Sequence, residues 1–213
     1  MKSSFHFDTL SIPVEHQVRL TTLNVLHAEV AVEERASLLC SELQEIKPDI
    51  LCLQEVTFEQ DGSSLQLKNI IHGNDLRVVS SLLQTPPDYR HQSGTAILTT
   101  LKVLESGSFP LDSPTATNNN ASYAVLEHLT GKAVIVLTAH LHWGGDKEGE
   151  RLKQVTAINR EAKAIAGRYS DLHPMVLLAG DFNTLPESDS MRFLKGLGAG
   201  IDGSYTYWSD VWE

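Results

Sequence analysis

The sequence predicts an α/β fold, and three observations carry this prediction. β-rich apolar segments alternate along the chain with segments whose apolar residues recur at helical spacing. The first strand, helix and strand follow one another within about forty residues, which favours helices packed on a sheet over a helical bundle. With 213 residues, 41% of them hydrophobic, the chain can bury its own core. No internal repeat or linker is evident, so residues 1–213 are expected to form one domain.

The first quarter of the chain predicts a strand, a helix and a second strand. Val18–Leu26 is β-rich and bounded by polar residues, which is typical of a strand. A helix is predicted over residues 33–46 because apolar side chains recur on one of its faces, and Pro48 ends it. The segment DILCLQE, residues 49–55, follows as a short buried strand.

The middle of the chain is rich in strand segments. Residues 76–84 and 94–100 are predicted strands, and residues 122–141 form two more. Thr130–Lys132 separates the last two as the turn of a hairpin. The composition of residues 107–122, GSFPLDSPTATNNNAS, predicts a loop.

The last third predicts a helix, a strand and a helix. Apolar residues recur at helical spacing over residues 147–169, and MVLLAG, residues 175–180, is a short apolar strand. SDSMRFLKGL has the pattern of a capped helix that begins near Ser188.

Charge and cysteine content limit the classes of partner. The chain has 17 basic and 27 acidic residues and a net charge of −10, which argues against a broad basic face for nucleic acid. A nuclease is still compatible, because a bound metal cation can locally reverse the sign of a carboxylate-lined site. Cys40 and Cys52 lie in apolar segments without metal-binding spacing and are expected to be buried and reduced.

No membrane segment or leader is predicted. The N-terminal residues lack a continuous apolar stretch, and no apolar run approaches the roughly 20 residues that span a bilayer. The sequence-based expectation is therefore a cytoplasmic protein without a membrane span.

Polar residues follow the ends of the apolar strands. They are Asn24, Glu55, His140, Asp181 and Asn183. Each has an ordinary structural explanation when taken alone, since Asp and Asn, for example, favour turns. Because carboxylate, amide and imidazole groups recur where strands leave a sheet, we expect them to share one pocket.

Five segments in this order resemble the endonuclease/exonuclease/phosphatase superfamily. They are TLNV, PDILCLQE, GTAIL, LTAHLHW followed by ERLKQ, and LLAGDFNTLPES, and they cover residues from Leu20 to Ser190. The resemblance implies a four-layered α/β sandwich, in which two mixed β-sheets pack face to face with helices outside.

The resemblance also implies a role for each strand-end residue. Glu55 would be the main protein ligand of Mg²⁺ or Mn²⁺, with Asn24 near it. Asp181 would orient or deprotonate the attacking water, Asn183 would hold the phosphate or that water, and His140 would donate to a non-bridging phosphate oxygen. The implied function is metal-dependent hydrolysis of a phosphate ester, chiefly a phosphodiester, with nucleic acid as one candidate substrate.

Other functions stay open at this point. A phosphomonoesterase, or an enzyme acting on lipid or inositol phosphates, is an alternative, and so is a catalytically inactive binding module on the same scaffold. The expected substrate loops, residues 57–74 and 106–121, lack the basic and aromatic pattern of a DNA-reading surface. A small or lipid-linked phosphodiester is therefore an alternative to DNA as the substrate.

The two histidines in TAHLHWGGD raise the alternative of a zinc site. Metallo-β-lactamase-type hydrolases need Asp and His where this chain has Gly144 and Gly145. His140 and His142 share one strand face, but a stable zinc site needs at least three protein ligands. The zinc interpretation is therefore rejected. His142 is expected to be exposed at the rim of the site or, as the alternative, to be a neighbour of the substrate.

Four further residues receive structural roles or none. Arg151 and Gln154 lie three residues apart on the predicted helix and are expected to anchor it. Trp143 either stacks on substrate or packs at the loop entrance. No partner is predicted for His27.

The family's C-terminal Ser-Asp-His segment has no counterpart here. Ser209–Val211 has valine where the histidine belongs, and WSDVWE resembles a segment that family members carry well before their C-terminus. We therefore expect a domain shortened by about 40–60 residues, with an exposed sheet edge that favours self-association and with weak turnover.

Overall fold

Each half of the chain builds one sheet of the sandwich. A computed structural model describes residues 17–27, 31–85, 92–112 and 119–211. The first sheet has four strands in the order β1-β2-β4-β3, and the second has four in the order β5-β6-β7-β8. The strands of the first sheet are β1 (Leu20–Asn24), β2 (Ile50–Thr57), β3 (Arg77–Leu83) and β4 (Ser93–Thr99). Those of the second are β5 (Lys102–Pro110), β6 (Asn120–Glu127), β7 (Ala133–His140) and β8 (Met175–Asp181).

Both sheets are mixed. β1 runs parallel to β2 and β7 runs parallel to β8, whereas the other neighbouring pairs are antiparallel. The helices are α1 (Val32–Ile46), α2 (Leu65–His72), α3 (Glu148–Arg168) and α4 (Asp189–Leu194), and Ser170–Leu172 forms a 3-10 turn.

The central strands are continuously apolar because both of their faces are covered. In β2, Ile50 and Cys52 face the second sheet, whereas Leu51 and Leu53 pack in the cluster that contains the apolar side chains of α1 and α2. In the second sheet, the inward face of β7 meets the first sheet, and the outward face packs on α3 and α4. A strand covered on both faces loses the polar and apolar alternation of a half-exposed strand. The four-layered sandwich is therefore confirmed.

The two cysteines differ in burial. Cys52 is fully buried between the sheets, and burial raises the pKa of its thiol to about 12. Cys40 on α1 is half-buried, and both thiols are free. The predicted burial holds fully for Cys52 and only in part for Cys40.

Two elements depart from the predictions for the middle of the chain. Residues 107–110, predicted as loop, belong to β5, and α2 occupies 65–72 within a segment expected to be loop. β5 is an edge strand with Pro110 at its last position, and edge strands tolerate Gly and Pro because one side needs no ladder hydrogen bonds. Helix α2 has only eight residues, and the Ser64 hydroxyl caps it by accepting from the Leu67 N–H at 3.2 Å. A helix this short carries little periodicity.

The helix predicted near Ser188 is present, but another residue caps it. The Ser188 hydroxyl accepts from the Leu185 N–H, so it serves the preceding turn. The Glu148 carboxylate of α3 instead accepts from the Ser190 N–H at 2.7 Å in the first turn of α4. Helix α3 thus holds the start of α4 in place.

The sheet edges β1 and β8 lie on the same side of the sandwich and contact each other. The predicted self-association through a sheet edge stays a prediction. Within the described segments, no helix is both long and apolar enough to cross a membrane.

Gly180 allows β8 to approach β7 directly before Asp181. Its φ is 154°, and a Cβ at this position would lie 2.1 Å from the Ala139 carbonyl oxygen. We expect Gly180→Ala to destabilise the protein by about 2–3 kcal/mol, because backbone atoms of β7 or β8 must move and the conformation is strained. Chemical unfolding followed by circular dichroism measures the change.

Gly167→Ala is the matched control for this substitution. Gly167 lies inside α3, and no heavy atom is within 4 Å of a Cβ built there. Alanine should stabilise the helix by about 0.5–1 kcal/mol. Equal unfolding midpoints for the two variants would show that β7 and β8 do not need this close approach.

Candidate active site

The period-two alternation of the strands directs the candidate side chains toward the layer between the sheets. Ala179 packs in that apolar layer, so Asp181, two residues further along β8, faces the same side. Thr138 of β7 meets the side chain of Gln54 there, so His140 has the same orientation. His140 and Asp181 are also direct neighbours in the parallel pairing of β7 and β8. Both side chains therefore reach one end of the inter-sheet layer.

A buried amide ties the two sheets together beside this end. Gln54 donates to the hydroxyls of Thr22 at 3.2 Å and Thr138 at 3.1 Å. Thr22 thereby faces the layer, and Asn24, two residues on at the end of β1, follows it. Sequence reasoning missed Gln54, although a glutamine inside the apolar segment ILCLQE signals a buried polar contact.

A β-bulge in β2 turns the Glu55 side chain toward the site. The pairing of β2 with β4 shifts register between Leu53 and Val56, and Glu55 has the left-handed backbone angle φ 59°. Such bulges redirect a side chain and are common beside active sites. A left-handed conformation is unfavourable for glutamate and persists only where its surroundings impose it.

One hydrogen-bonded cluster contains four of the five predicted site residues. The Asn24 amide donates to Glu55 at 2.8 Å and to Asp181 at 2.9 Å. The Asn183 main-chain N–H donates to Asp181 at 3.0 Å, and its side-chain amide donates to the Leu141 carbonyl at 3.0 Å. Asn183 also has a left-handed φ of 48°. The structure therefore brings these four predicted residues together.

The fifth residue, His140, lies beside this cluster. Its Nε2 is 3.9 Å from a carboxylate oxygen of Asp181, too far for a direct hydrogen bond. Burial lowers the pKa of His140, against the charges of Asp181 and Glu55, which act to raise it. The imidazole is therefore neutral near pH 7 and can donate a hydrogen bond from one nitrogen.

Glu55 is held as a carboxylate. Burial acts to raise the pKa of Glu55, but hydrogen bonds from Asn24 and from the main chain and side chain of His27 lower it overall. No partner was predicted for His27, and this expectation was wrong, because its Nδ1 lies 2.5 Å from Oε2 of Glu55. Only the turn after β1, which the sequence pattern did not specify, brings the two together.

The predicted anchoring role of Arg151 and Gln154 is confirmed, and the segment that they anchor follows His140. Arg151 donates to the carbonyls of His142 at 2.9 Å and Gly144 at 2.6 Å. The Gln154 side chain accepts from the His142 N–H at 3.0 Å. Both side chains are buried. Helix α3 thus fixes the backbone beside the site.

His142 and Trp143 lie outside the hydrogen-bonded cluster. Nδ1 of His142 accepts from the Gly144 N–H at 3.0 Å, and its ring stacks against Trp143 with a centroid distance of 6.3 Å. Trp143 is 72% exposed, so packing does not bury it. Within the described residues, no three His, Cys, Asp or Glu side chains form a group that could hold a metal ion.

A cleft of about 440 Å³ opens at the cluster. It is lined by Asn24 of β1, by Asp181 and Asn183 of β8 and the following loop, and by Asp210. Sequence reasoning gave Asp210 no role at the site, and in the structure its carboxylate lies 3.8 Å from Lys195. The carboxylates at and beside the cleft give it a negative local charge.

The donors in this cluster fit a hard divalent cation. Glu55 supplies carboxylate oxygens, which its lowered pKa keeps charged, and the carboxylate of Asp181 lines the adjoining cleft. Mg²⁺ and Mn²⁺ prefer oxygen ligands, and Mg²⁺ commonly takes only one or two carboxylates with water and substrate phosphate completing its shell. A site without three clustered His, Cys, Asp or Glu side chains is compatible with that kind of binding.

Sequence comparison adds a family and a relative. The sequence model of the "Endonuclease/Exonuclease/phosphatase family" matches residues 21–212. Protein angel of Drosophila melanogaster is 27% identical over 198 residues, which cover 85% of this chain and 52% of that protein. The chain therefore spans about half the length of this curated relative.

Solved structures share the fold. The human Nocturnin catalytic domain, solved with a bound sulfate anion, aligns with a TM-score of 0.70 and 22% identity, over 84% of this chain and 68% of that one. ANGEL2, described as a 2',3'-cyclic phosphatase, aligns with a TM-score of 0.66 and 19% identity, over 84% of this chain and 56% of that one. At these identities the likeness concerns the arrangement of sheets and helices.

Proposed function

Since the chain belongs to the endonuclease/exonuclease/phosphatase family, we propose that it is a Mg²⁺- or Mn²⁺-dependent phosphoesterase that hydrolyses phosphodiesters by attack of water on phosphorus. The observation that carries the proposal is the cluster in which Asn24 joins the carboxylates of Glu55 and Asp181, at a cleft beside the neutral imidazole of His140. A hard-cation site, a carboxylate base and a hydrogen-bond donor together are the groups that this chemistry needs.

Each residue of the cluster has its own role in the proposed reaction. Glu55 would hold the cation, which when bound would neutralise phosphate charge and activate water. Asn24 lies next to it, and its amide holds the carboxylates of Glu55 and Asp181 in position. Asp181 accepts a proton from the attacking water or orients it, and the Asn183 N–H fixes that carboxylate at 3.0 Å. Neutral His140 donates to a non-bridging phosphate oxygen, where negative charge grows as water attacks. No covalent nucleophile is required.

Diesters are favoured over monoesters on grounds of charge. Asp181 and Asp210 line the cleft, and Glu55 lies beside it, bonded to the Asn24 amide. A divalent cation would offset only two of these three negative charges. A phosphodiester carries one negative charge and a monoester close to two at neutral pH, so the diester is repelled less by the remaining negative charge. ANGEL2, which shares the fold, is described as a 2',3'-cyclic phosphatase, and a 2',3'-cyclic phosphate is an internal diester. We therefore place cyclic phosphates and RNA ends among the candidate substrates, together with DNA and lipid-linked diesters.

The test compares bis-p-nitrophenyl phosphate with p-nitrophenyl phosphate in the presence of Mg²⁺ or Mn²⁺. We expect metal-dependent turnover of the diester to exceed that of the monoester, and EDTA to abolish both. Preferred monoester turnover indicates a phosphatase, and no turnover with either indicates a binding module. A panel of DNA, RNA with a 2',3'-cyclic end, inositol phosphates and phospholipids then identifies the class. The same assay tests the expectation of weak turnover.

The two histidines around Leu141 should differ sharply in their effects. His140→Ala is expected to lower kcat by roughly two to three orders of magnitude, the scale for losing an oxyanion donor. His142→Ala should cost less than tenfold, because His142 lies outside the cluster that joins Glu55 and Asp181. Steady-state kinetics with the diester measures both. Equal losses of kcat in the two variants, together with better recovery of activity by Zn²⁺ than by Mg²⁺, would support a zinc site instead.

A further inference from the structure

His27 is placed against the candidate metal ligand by a turn with little freedom. Asn24 accepts from the Leu26 N–H at 2.9 Å, and Leu26 has a left-handed φ of 56°. The Arg35 guanidinium of α1 donates to the carbonyls of Val25 and Leu26, each at 2.7 Å. These bonds fix the backbone that leads into His27 and so place its Cα beside Glu55.

His27 contacts one oxygen of Glu55 through two of its nitrogen atoms. Nδ1 of His27 is 2.5 Å from Oε2 of Glu55, and the His27 main-chain N–H donates to the same oxygen at 3.1 Å. The other oxygen, Oε1, receives the Asn24 amide. The His27 side chain is 40% exposed and that of Glu55 is 15% exposed, so the imidazole lies on the solvent side of the carboxylate.

We propose that His27 is a nitrogen ligand of the cation that binds at Glu55. The inference rests on the proposed function, because it concerns the same cation. Nδ1 and Oε2 lie close enough that a modest opening of the pair, to about 3 Å, admits a cation with bonds of roughly 2.1 Å to both atoms. The hydrogen on Nδ1 then moves to Nε2, so the neutral ring changes tautomer without gaining or losing a proton.

One nitrogen ligand changes which metal the site prefers. Mg²⁺ favours oxygen ligands throughout, whereas imidazole suits transition metals, whose affinity for nitrogen rises from Mn²⁺ toward Zn²⁺. A site in which Glu55 and His27 both bind the cation should therefore bind Mn²⁺ more tightly than Mg²⁺. Replacing His27 should remove much of that preference and leave a weaker site of oxygen donors.

The experiment uses Mn²⁺ itself as the probe. Pulsed electron paramagnetic resonance of Mn²⁺ bound to the unmodified protein should show coupling to a directly bonded imidazole nitrogen. His27→Gln should remove this coupling. In calorimetric titrations the variant should bind Mn²⁺ on the order of tenfold more weakly or worse, whereas its Mg²⁺ affinity changes less than threefold. His142→Gln is the matched control and should retain both the coupling and the affinity.

The outcomes separate the inference from the function on which it rests. Metal-dependent turnover without nitrogen coupling in the unmodified protein overturns the role of His27 alone. If the nitrogen coupling and the preference for Mn²⁺ survive in His27→Gln, the role of His27 is also overturned. His27 is then at most a hydrogen-bond partner of Glu55. If the unmodified protein binds neither cation, both the inference and the metal-dependent function fail. His27→Asn, with circular dichroism of each variant, excludes a folding defect as the cause.

Discussion

Replacing Glu55 with glutamine is expected to abolish metal binding and turnover while the protein keeps its fold. The amide has nearly the shape of the carboxylate but lacks its charge, which a hard cation requires. The fold should survive, because the glutamine oxygen can still accept the Asn24 hydrogen bond that now measures 2.8 Å. The cost is local, since the NH₂ group then faces the His27 main-chain N–H, which the carboxylate accepts at 3.1 Å. Calorimetric titration with Mn²⁺ measures the binding, and circular dichroism checks the fold.

Glu105→Gln is the matched control for this variant. Glu105 lies on β5, where its carboxylate accepts hydrogen bonds from Tyr123, Arg168 and Tyr169. The bonds from Tyr123 and Tyr169 are the main reason that the pKa of Glu105 is lowered, so it is another charged, hydrogen-bonded glutamate. Its replacement should leave metal binding unchanged. Equal Mn²⁺ affinity in the Glu55 variant and the unmodified protein would remove Glu55 from the metal site.

Asp181→Asn should lower kcat by roughly two to four orders of magnitude, the contribution of a positioned general base. Asp181 holds the centre of the cluster by accepting from the Asn24 amide and from the Asn183 N–H. An asparagine can accept at only one of these places, and its NH₂ group faces a donor at the other. The group that orients or deprotonates water is lost, and its neighbours are left with an unmatched donor.

Kinetics and metal titration together distinguish this variant from the glutamate variant. Asp181→Asn should still bind Mn²⁺ within a few-fold of the unmodified protein, because Glu55 remains charged. Asp202→Asn, in an exposed turn where Asp202 accepts from the Ser204 N–H, controls for the general effect of the substitution. Turnover by Asp181→Asn above a tenth of the unmodified rate would show that Asp181 is not the base.

Much of the site was predictable because strand geometry is readable from sequence. His140 and Asp181 end apolar strands, and period-two alternation carries each into the layer that Thr138 and Ala179 already occupy. Polar residues at those positions therefore predict a shared pocket. The four-layered arrangement, in contrast, came from the family resemblance, since continuous apolar strands alone do not state how many layers cover them.

What the sequence did not reveal depends on backbone geometry outside regular elements. The bulge at Glu55 and the left-handed turn at Leu26 have no periodic signature, and the contact between His27 and Glu55 depends on both. Asp210 reaches the cleft from a segment without helix or strand. Strand β5 was missed for a related reason, because an edge position tolerates the Gly and Pro that usually mark a loop.

The division of the chain into one sheet per half has a consequence for how function is lost. Residues 20–99 contribute Asn24 and Glu55, and residues 102–181 contribute His140 and Asp181. The Asn24 to Asp181 bond joins residues 157 positions apart, so the chemistry exists only while the halves stay docked. A fluctuation that parts the sheets by a few ångströms would abolish the proposed hydrolysis although each sheet stays intact. We therefore expect turnover to respond to loss of contact between the sheets before any measure of secondary structure does.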